Sequence, residues 1–172
     1  RFGWTGLAHR AERRPSRGST RARAQGRGVA FHCVTRAELV VAAGALERAG
    51  TNGQDRIEHA SLAPPDAVAW LARLGVTVVT QPNFLCERGD SYREDVAERD
   101  QPWLYRGRGF VEAGVPLGGG TDAPFGDCDP WAAMRAAVRR RSAGGARMQP
   151  GEALDPERAL GLFTSPLEAP GR

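Results

Sequence analysis

Asp55–Thr80 reads DRIEHASLAPPDAVAWLARLGVTVVT, and it divides into three parts of different period. Asp55-Arg56-Ile57-Glu58-His59 alternates as a short strand does and ends in a histidine. Pro64, Pro65 and Asp66 then open a helix whose apolar face includes Val68, Trp70, Leu71 and Leu74, and Gly75 closes it. Val76–Thr80 (VTVVT) is β-branched throughout, the pattern of a strand buried on both faces. Strand, helix, strand in so few residues is a βαβ unit, and such units build parallel sheets.

The same pattern extends in both directions. Upstream, Gly28-Val29-Ala30-Phe31-His32 is an apolar run that also ends in histidine. Thr35-Arg36-Ala37-Glu38 follows as a capping box, and Leu39, Val40, Ala43 and Leu46 continue at helical spacing to a stop at Gly50. Downstream, the VTVVT strand ends in Gln81-Pro82-Asn83, and residues 84–101 read as a long charged loop. Pro102-Trp103-Leu104-Tyr105 starts a helix expected to run to about Ala113, stopped by Gly114. Val115–Gly118 is a fourth strand; Gly118, Gly119 and Gly120 turn the chain tightly towards Asp122. Pro130-Trp131 opens a helix through Met134, Ala137 and Val138 to Arg139-Arg140-Arg141, a run expected to lie in solvent and complement the helix dipole. A glycine-rich link and a short helix from Pro156 to Phe163 follow. Four βα repeats make either half of an eight-fold barrel or a small open sheet.

With 172 residues, 41% hydrophobic and 26% charged, the chain has the length and balance of a globular domain. No apolar run approaches the roughly 18 residues of a membrane span, and no secretory leader pattern is visible. Cys33, Cys86 and Cys128 are odd in number and widely spaced, which predicts reduced thiols and a cytoplasmic setting. All 24 basic residues are Arg, and eight of them fall in residues 1–27 against one acid, Glu12. That segment reads as a disordered basic arm, and residues 28–172 as the folded body. Clustered Arg neutralises phosphates, but Phe2 and Trp4 are the arm's only aromatic stacking partners, which argues against nucleic-acid binding.

His32, His59 and Asp122 each stand at the C-terminal end of a different predicted strand. In a parallel sheet those ends share one edge, so residues far apart in sequence converge there. Two neutral imidazoles and a carboxylate suit a catalytic zinc with an open position. Such an ion generates hydroxide from water, and an adjacent Asp takes and returns the proton. Plainer readings stand beside this one: strand-end histidines hydrogen-bonded in loops, and Asp122 capping the next helix. His9 lies in the basic arm and is read as incidental, and Cys33 as a small packed residue on the face opposite His32. Gly118–Gly120 lacks the following Lys-Ser/Thr of a phosphate loop.

The ordered set VAFHCVTRAEL, DRIEHASL, VTVVTQPNF and GGGTDAPFGDCDPW resembles the C-terminal half of the metal-dependent amidohydrolase superfamily. The resemblance is nearest to its branch of N-acyl-D-amino-acid deacylases and N-substituted formamide deformylases, and it covers about residues 28–166. It implies an α/β fold, namely βα units five to eight of a TIM-like (β/α)8 barrel. It also implies that His32 and His59 ligate a divalent metal, zinc by preference, and that Asp122 both contacts the metal and shuttles the proton. The family's HxH pair on strand one is absent, as is its strand-four Lys or Glu, and the chain has no Lys at all. A full barrel takes roughly 250 residues, so the chain is expected to be a fragment.

The expected activity is therefore metal-dependent hydrolysis of a non-peptide C–N (amide) bond in a small-molecule substrate, with Gln81, Pro82 and Asn83 at the mouth of the site. Two alternatives stay open: an inactive half-barrel remnant that self-associates through unpaired strand edges, and a nucleic-acid-binding module acting through the basic arm. No membrane partner is expected.

Overall fold

The computed structural model describes residues 17–166. Four short strands, β1 (Ala30–Cys33), β2 (Arg56–His59), β3 (Thr77–Thr80) and β4 (Leu117–Gly119), form one parallel sheet in the order β1-β2-β3-β4. The crossover connections that parallel strands require are supplied largely by helices. Helix α2 (Arg36–Ala49) joins β1 to β2, and α3 (Pro65–Leu74) joins β2 to β3. The capping box at Thr35 and Glu38 is present, with each side chain meeting the other residue's backbone N–H. Gly75 closes α3 at φ 62°, a left-handed position that glycine takes without a Cβ penalty.

Register decides what each face of the sheet does. Phe31, Ile57, Val78 and Leu117 stand side by side in one row. Ile57, Val78 and Leu117 are buried, in one core with Leu39 and Leu46 of α2 and Val68 and Leu71 of α3. Cys33 belongs to the same core, 1% exposed, and burial pushes its thiol up to about 12. The next row, His32, Glu58, Val79 and Gly118, lies on the opposite face, since side chains alternate along a strand. There His32 is exposed and Glu58 pairs with Arg56 of its own strand. One face of the sheet is thus apolar and covered, and the other carries exposed His32 and half-buried Glu58 and Val79.

The second half of the chain departs from expectation in three places. Asn83–Asp95, read as part of a charged loop, is a helix, α4. Its buried side, Leu85 and Gly89 with half-buried Tyr92 and Val96, recurs at helical spacing, while its many charges face outward. The helix expected from Pro102 to Ala113 is broken: a 3-10 turn (Gln101–Trp103), a bridge from Leu104 to Leu62, then α5 (Arg108–Glu112). Helix α6 (Pro130–Arg139), capped by Asp129, runs as expected, but Arg140 is not solvated. It is 2% exposed, in a second core with Phe84, Leu85, Leu104, Tyr105 and Met148. Helix α7 (Pro156–Thr164) packs on β4 and α6.

Part of the basic segment is also ordered. Arg17–Ala24 is a helix, α1, and residues 1–16 of the expected arm lie outside the described residues. Arg23 pairs with Asp55, whose buried carboxylate also accepts from the N–H groups of Val29 and Asn52. Burial pushes the Asp55 carboxyl up, but these donors outweigh it and hold it below the ordinary aspartate value. Among the described residues no helix is long and apolar enough to cross a membrane.

Candidate metal centre

β1 and β2 are neighbours, so their C-terminal ends bring His32 and His59 together. The two imidazoles meet edge to face with centroids 4.6 Å apart and planes at 73°. His59 is 4% exposed, and its Nδ1 has no hydrogen-bond partner among the described residues. Burial holds its pKa below the ordinary histidine value, and the neighbouring His32 lowers it further. The carboxylates of Asp122 and Glu58 pull the other way, as does the Gln81 side chain, without reversing the shift. The net effect favours neutral imidazole, the form that binds a metal.

The backbone here is under constraint. His59 and Ala60 have φ of 69° and 47°, and Asp122 has φ of 58°. Left-handed conformations in non-glycine residues cost of order 1–3 kcal/mol each and gather at functional sites. These three lie at the C-terminal ends of β2 and beyond β4, the edge where the sequence places a site. Asp122 itself is exposed.

Unsatisfied polar atoms mark the same region. Among the described residues, those buried without a partner are His59 Nδ1, Ser61 Oγ, Thr80 Oγ1, Gln81 Oε1, Asn83 Oδ1 and Arg88 Nε. Each belongs to residues 59–88, beyond or at the C-terminal ends of β2 and β3 or on the first two turns of α4. Buried polar groups are paired in the great majority of cases, so this concentration marks a pocket edge whose chemistry suits a polar ligand. The orphaned imidazole nitrogen, the neutral-leaning His59 and its proximity to His32 fit a divalent ion. The set is partial: among the described residues no three His, Cys, Asp or Glu side chains come together to hold one.

Helix α4, which local sequence patterning missed, anchors the Asp122 loop. Asn83 Nδ2 donates to Thr121 O at 3.0 Å and to Glu87 Oε1 at 2.9 Å, and Glu87 Oε1 also accepts from the Asp127 N–H at 3.2 Å. Gly126 permits this approach, because a Cβ there would sit 2.3 Å from Thr121 O and 2.6 Å from Asn83 Nδ2. Phe84 stacks on His59 with centroids 6.2 Å apart and planes at 11°. The spacings Asn83–Glu87 and Phe84–Arg88, four residues each, were the sequence signal for this helix.

The profile of the Amidohydrolase family matches residues 16–166. The chain belongs to that family. It is 31% identical over 119 residues to the N-substituted formamide deformylase of Arthrobacter pascens, covering 68% of this chain and 22% of the deformylase. Crystal structures of uncharacterized metal-dependent hydrolases from Pyrococcus horikoshii OT3 and Pyrococcus furiosus superpose with TM-scores of 0.73 and 0.71, each at 34% identity. These matches cover 81% and 83% of this chain but only 29% and 28% of the hydrolases. This amidohydrolase chain therefore spans less than a third of the length of the relatives it matches. The family match also begins ahead of Gly28, so α1 falls within the matched region.

Proposed function

We propose that this chain carries part of the active site of a metal-dependent amidohydrolase that cleaves a non-peptide C–N amide bond, and that its four βα units are units five to eight of a (β/α)8 barrel. The supporting observation is the His32–His59 pair at 4.6 Å, with the buried His59 Nδ1 unpartnered among other unpartnered polar atoms. His32 and His59 at the C-terminal ends of β1 and β2 support the barrel reading, since a barrel's site lies at the C-terminal ends of its strands.

His32 and His59 would hold the ion as neutral ligands, and Asp122, beyond β4 on the same sheet edge, would lie beside it. A divalent ion, zinc by its taste for imidazole and carboxylate, supplies when bound the Lewis acidity that makes hydroxide available near neutral pH. Asp122, exposed and held in a left-handed turn, takes a proton from the attacking water and returns it to the departing amine nitrogen. Thr80, Gln81 and Asn83 offer buried polar atoms at the strand ends, where they can orient the amide. Phe84, stacked on His59, restricts the ring's orientation and keeps water from that side.

The test is the metal content of the purified chain beside a His32→Ala, His59→Ala double variant. The chain should hold about one divalent ion, and the variant none. A folded chain that holds no ion, or a variant that keeps it, refutes the ligand assignment. In the complete parent protein Asp122→Asn should abolish turnover, and retained activity would remove its proton-transfer role.

A further inference from the structure

The hydrogen bonds between β3 and β4 continue past the strands themselves. Beyond β4 the Gly120 N–H still donates to Thr80 O at 2.9 Å. One residue further the partner changes: Thr121 O accepts from the side chain of Asn83, the first residue of α4, at 3.0 Å. Asn83 is 2% exposed, and its Nδ2 also donates to Glu87 Oε1 at 2.9 Å. Glu87 stands one helical turn on and accepts from the Asp127 N–H at 3.2 Å. From the same turn Arg88 Nη2 donates to Phe125 O at 3.1 Å. The first two turns of α4 therefore clasp the loop by backbone groups of residues 121, 125 and 127, on both sides of Asp122.

Asp122 sits inside this clasp with φ of 58°, and its carbonyl accepts from the Phe125 and Gly126 N–H groups at 2.9 and 3.0 Å. A left-handed residue with a Cβ persists only where its surroundings over-determine it. Here the turn supplies two inner bonds, and Asn83 and Glu87 tie its ends to a helix. The bonds of the clasp all use backbone atoms of the loop, so the Asp122 carboxylate stays exposed. Its charge reaches the His59 ring, where it opposes the lowering of pKa by burial and by His32.

Topology explains why α4 is the element that does this. β3 lies between β2 and β4, so the helix that follows it starts between His59 and Asp122. Adjacent residues of that helix face the two: Phe84 stacks on His59, and Asn83 holds Thr121.

We propose that Asn83 is a positioning residue: through Thr121 O, and braced by Glu87, it fixes the left-handed turn that presents the Asp122 carboxylate to the His32–His59 pair. The proposal rests on the hydrolase reading above for the work Asp122 does, and it adds the residue that sets where that carboxylate stands.

The turn is measured first without metal, by hydrogen exchange of the full chain followed by NMR. Asn83→Ala should speed exchange of the Phe125 and Gly126 amides about tenfold, the contribution of one hydrogen bond. The Val78 amide, bonded to Pro116 O inside the sheet, should keep the parent rate. Glu87→Ala, at an exposed position, should speed the two loop amides about threefold, and Glu87→Gln, which keeps Oε1, should match the parent. Loop amides that stay at the parent rate in Asn83→Ala overturn the proposal. Where Asn83→Ala loosens Val78 as well, Glu87→Ala decides, and a parent rate there overturns it. Zinc affinity is measured second, by calorimetry, as a cycle of Asn83→Ala and Asp122→Asn. Each single variant should weaken binding, and the double variant should bind no more weakly than Asp122→Asn alone. Losses that simply add would overturn the action of Asn83 through Asp122. If the parent chain holds no zinc while the exchange results stand, the hydrolase reading fails and Asn83 remains the residue that fixes the turn.

Discussion

Arg140 is the side chain whose removal should damage this fold most. It donates from Nε to Met148 O at 2.8 Å and Gln149 O at 2.9 Å, from Nη1 to Tyr105 O at 2.9 Å, and from Nη2 to Leu104 O at 3.1 Å. Three of the residues joined in this way, Tyr105, Arg140 and Gln149, have left-handed backbones, with φ of 40°, 44° and 44°. One guanidinium therefore ties strained segments from three parts of the chain. Burial draws its pKa down to about 10, which still leaves it charged at neutral pH. Arg140→Met keeps the volume but leaves the carbonyls of Leu104, Tyr105 and Met148 facing a thioether. Each buried carbonyl left unpaired costs about 1–3 kcal/mol, and relief from desolvating the cation returns several kcal/mol. The net loss should be about 4 kcal/mol, within the range for removing one partner of a buried charged network. Against a urea slope of about 2 kcal/mol/M, the midpoint should fall by about 2 M. Arg140→Lys keeps the charge but has no planar fork, and should fall between the two. Urea unfolding followed by circular dichroism measures all three proteins. A midpoint for Arg140→Met within about 0.5 M of the parent, roughly 1 kcal/mol, would show that the carbonyls re-pair without the guanidinium.

Two further predictions concern the packing around the site. Glu152 accepts from Arg106 Nε at 2.7 Å and from the N–H groups of Gly107 and Gly109 at 3.2 and 2.8 Å. Burial raises its pKa, but the Gly109 N–H and the charges of Arg106 and Arg140 more than offset this, and it ends below the ordinary glutamate value. A depressed carboxylate stabilises the fold above its unfolded pKa and loses that contribution as pH falls through its folded pKa. Glu152→Gln should therefore cost about 2 kcal/mol at neutral pH, with the gap closing below about pH 4; a gap independent of pH would exclude the ionised form as the source. Gly119 faces α7, and a Cβ there would lie 2.9 Å from both Leu162 Cβ and Phe163 Cε2. Gly119→Ala should lower stability by about 1–3 kcal/mol through overpacking, and an unchanged melting temperature would mean that α7 yields freely.

Much of this architecture is legible in the chain itself. Each βα boundary carries a local signal with a physical cause, such as the Thr35–Glu38 box, Pro65 opening α3 or Gly75 closing it. Strand ends follow from those boundaries, so His32, His59 and Asp122 can be placed on one edge before any coordinates exist. Tertiary structure decided the rest. Helix α4 is rich in charge, and its buried residues, Asn83, Phe84, Leu85 and Gly89, crowd into its first two turns. Arg140 and Arg88 look like any surface arginine in sequence. Arg140 is buried because carbonyls from residues 104, 105, 148 and 149 arrive around it, and Arg88 pairs with no carboxylate among the described residues, its acidic neighbours being engaged elsewhere. Periodicity and capping are short-range properties and can be read within a few residues. The state of a charge depends on which partners the whole fold delivers, and those include residues 35 to 54 positions away.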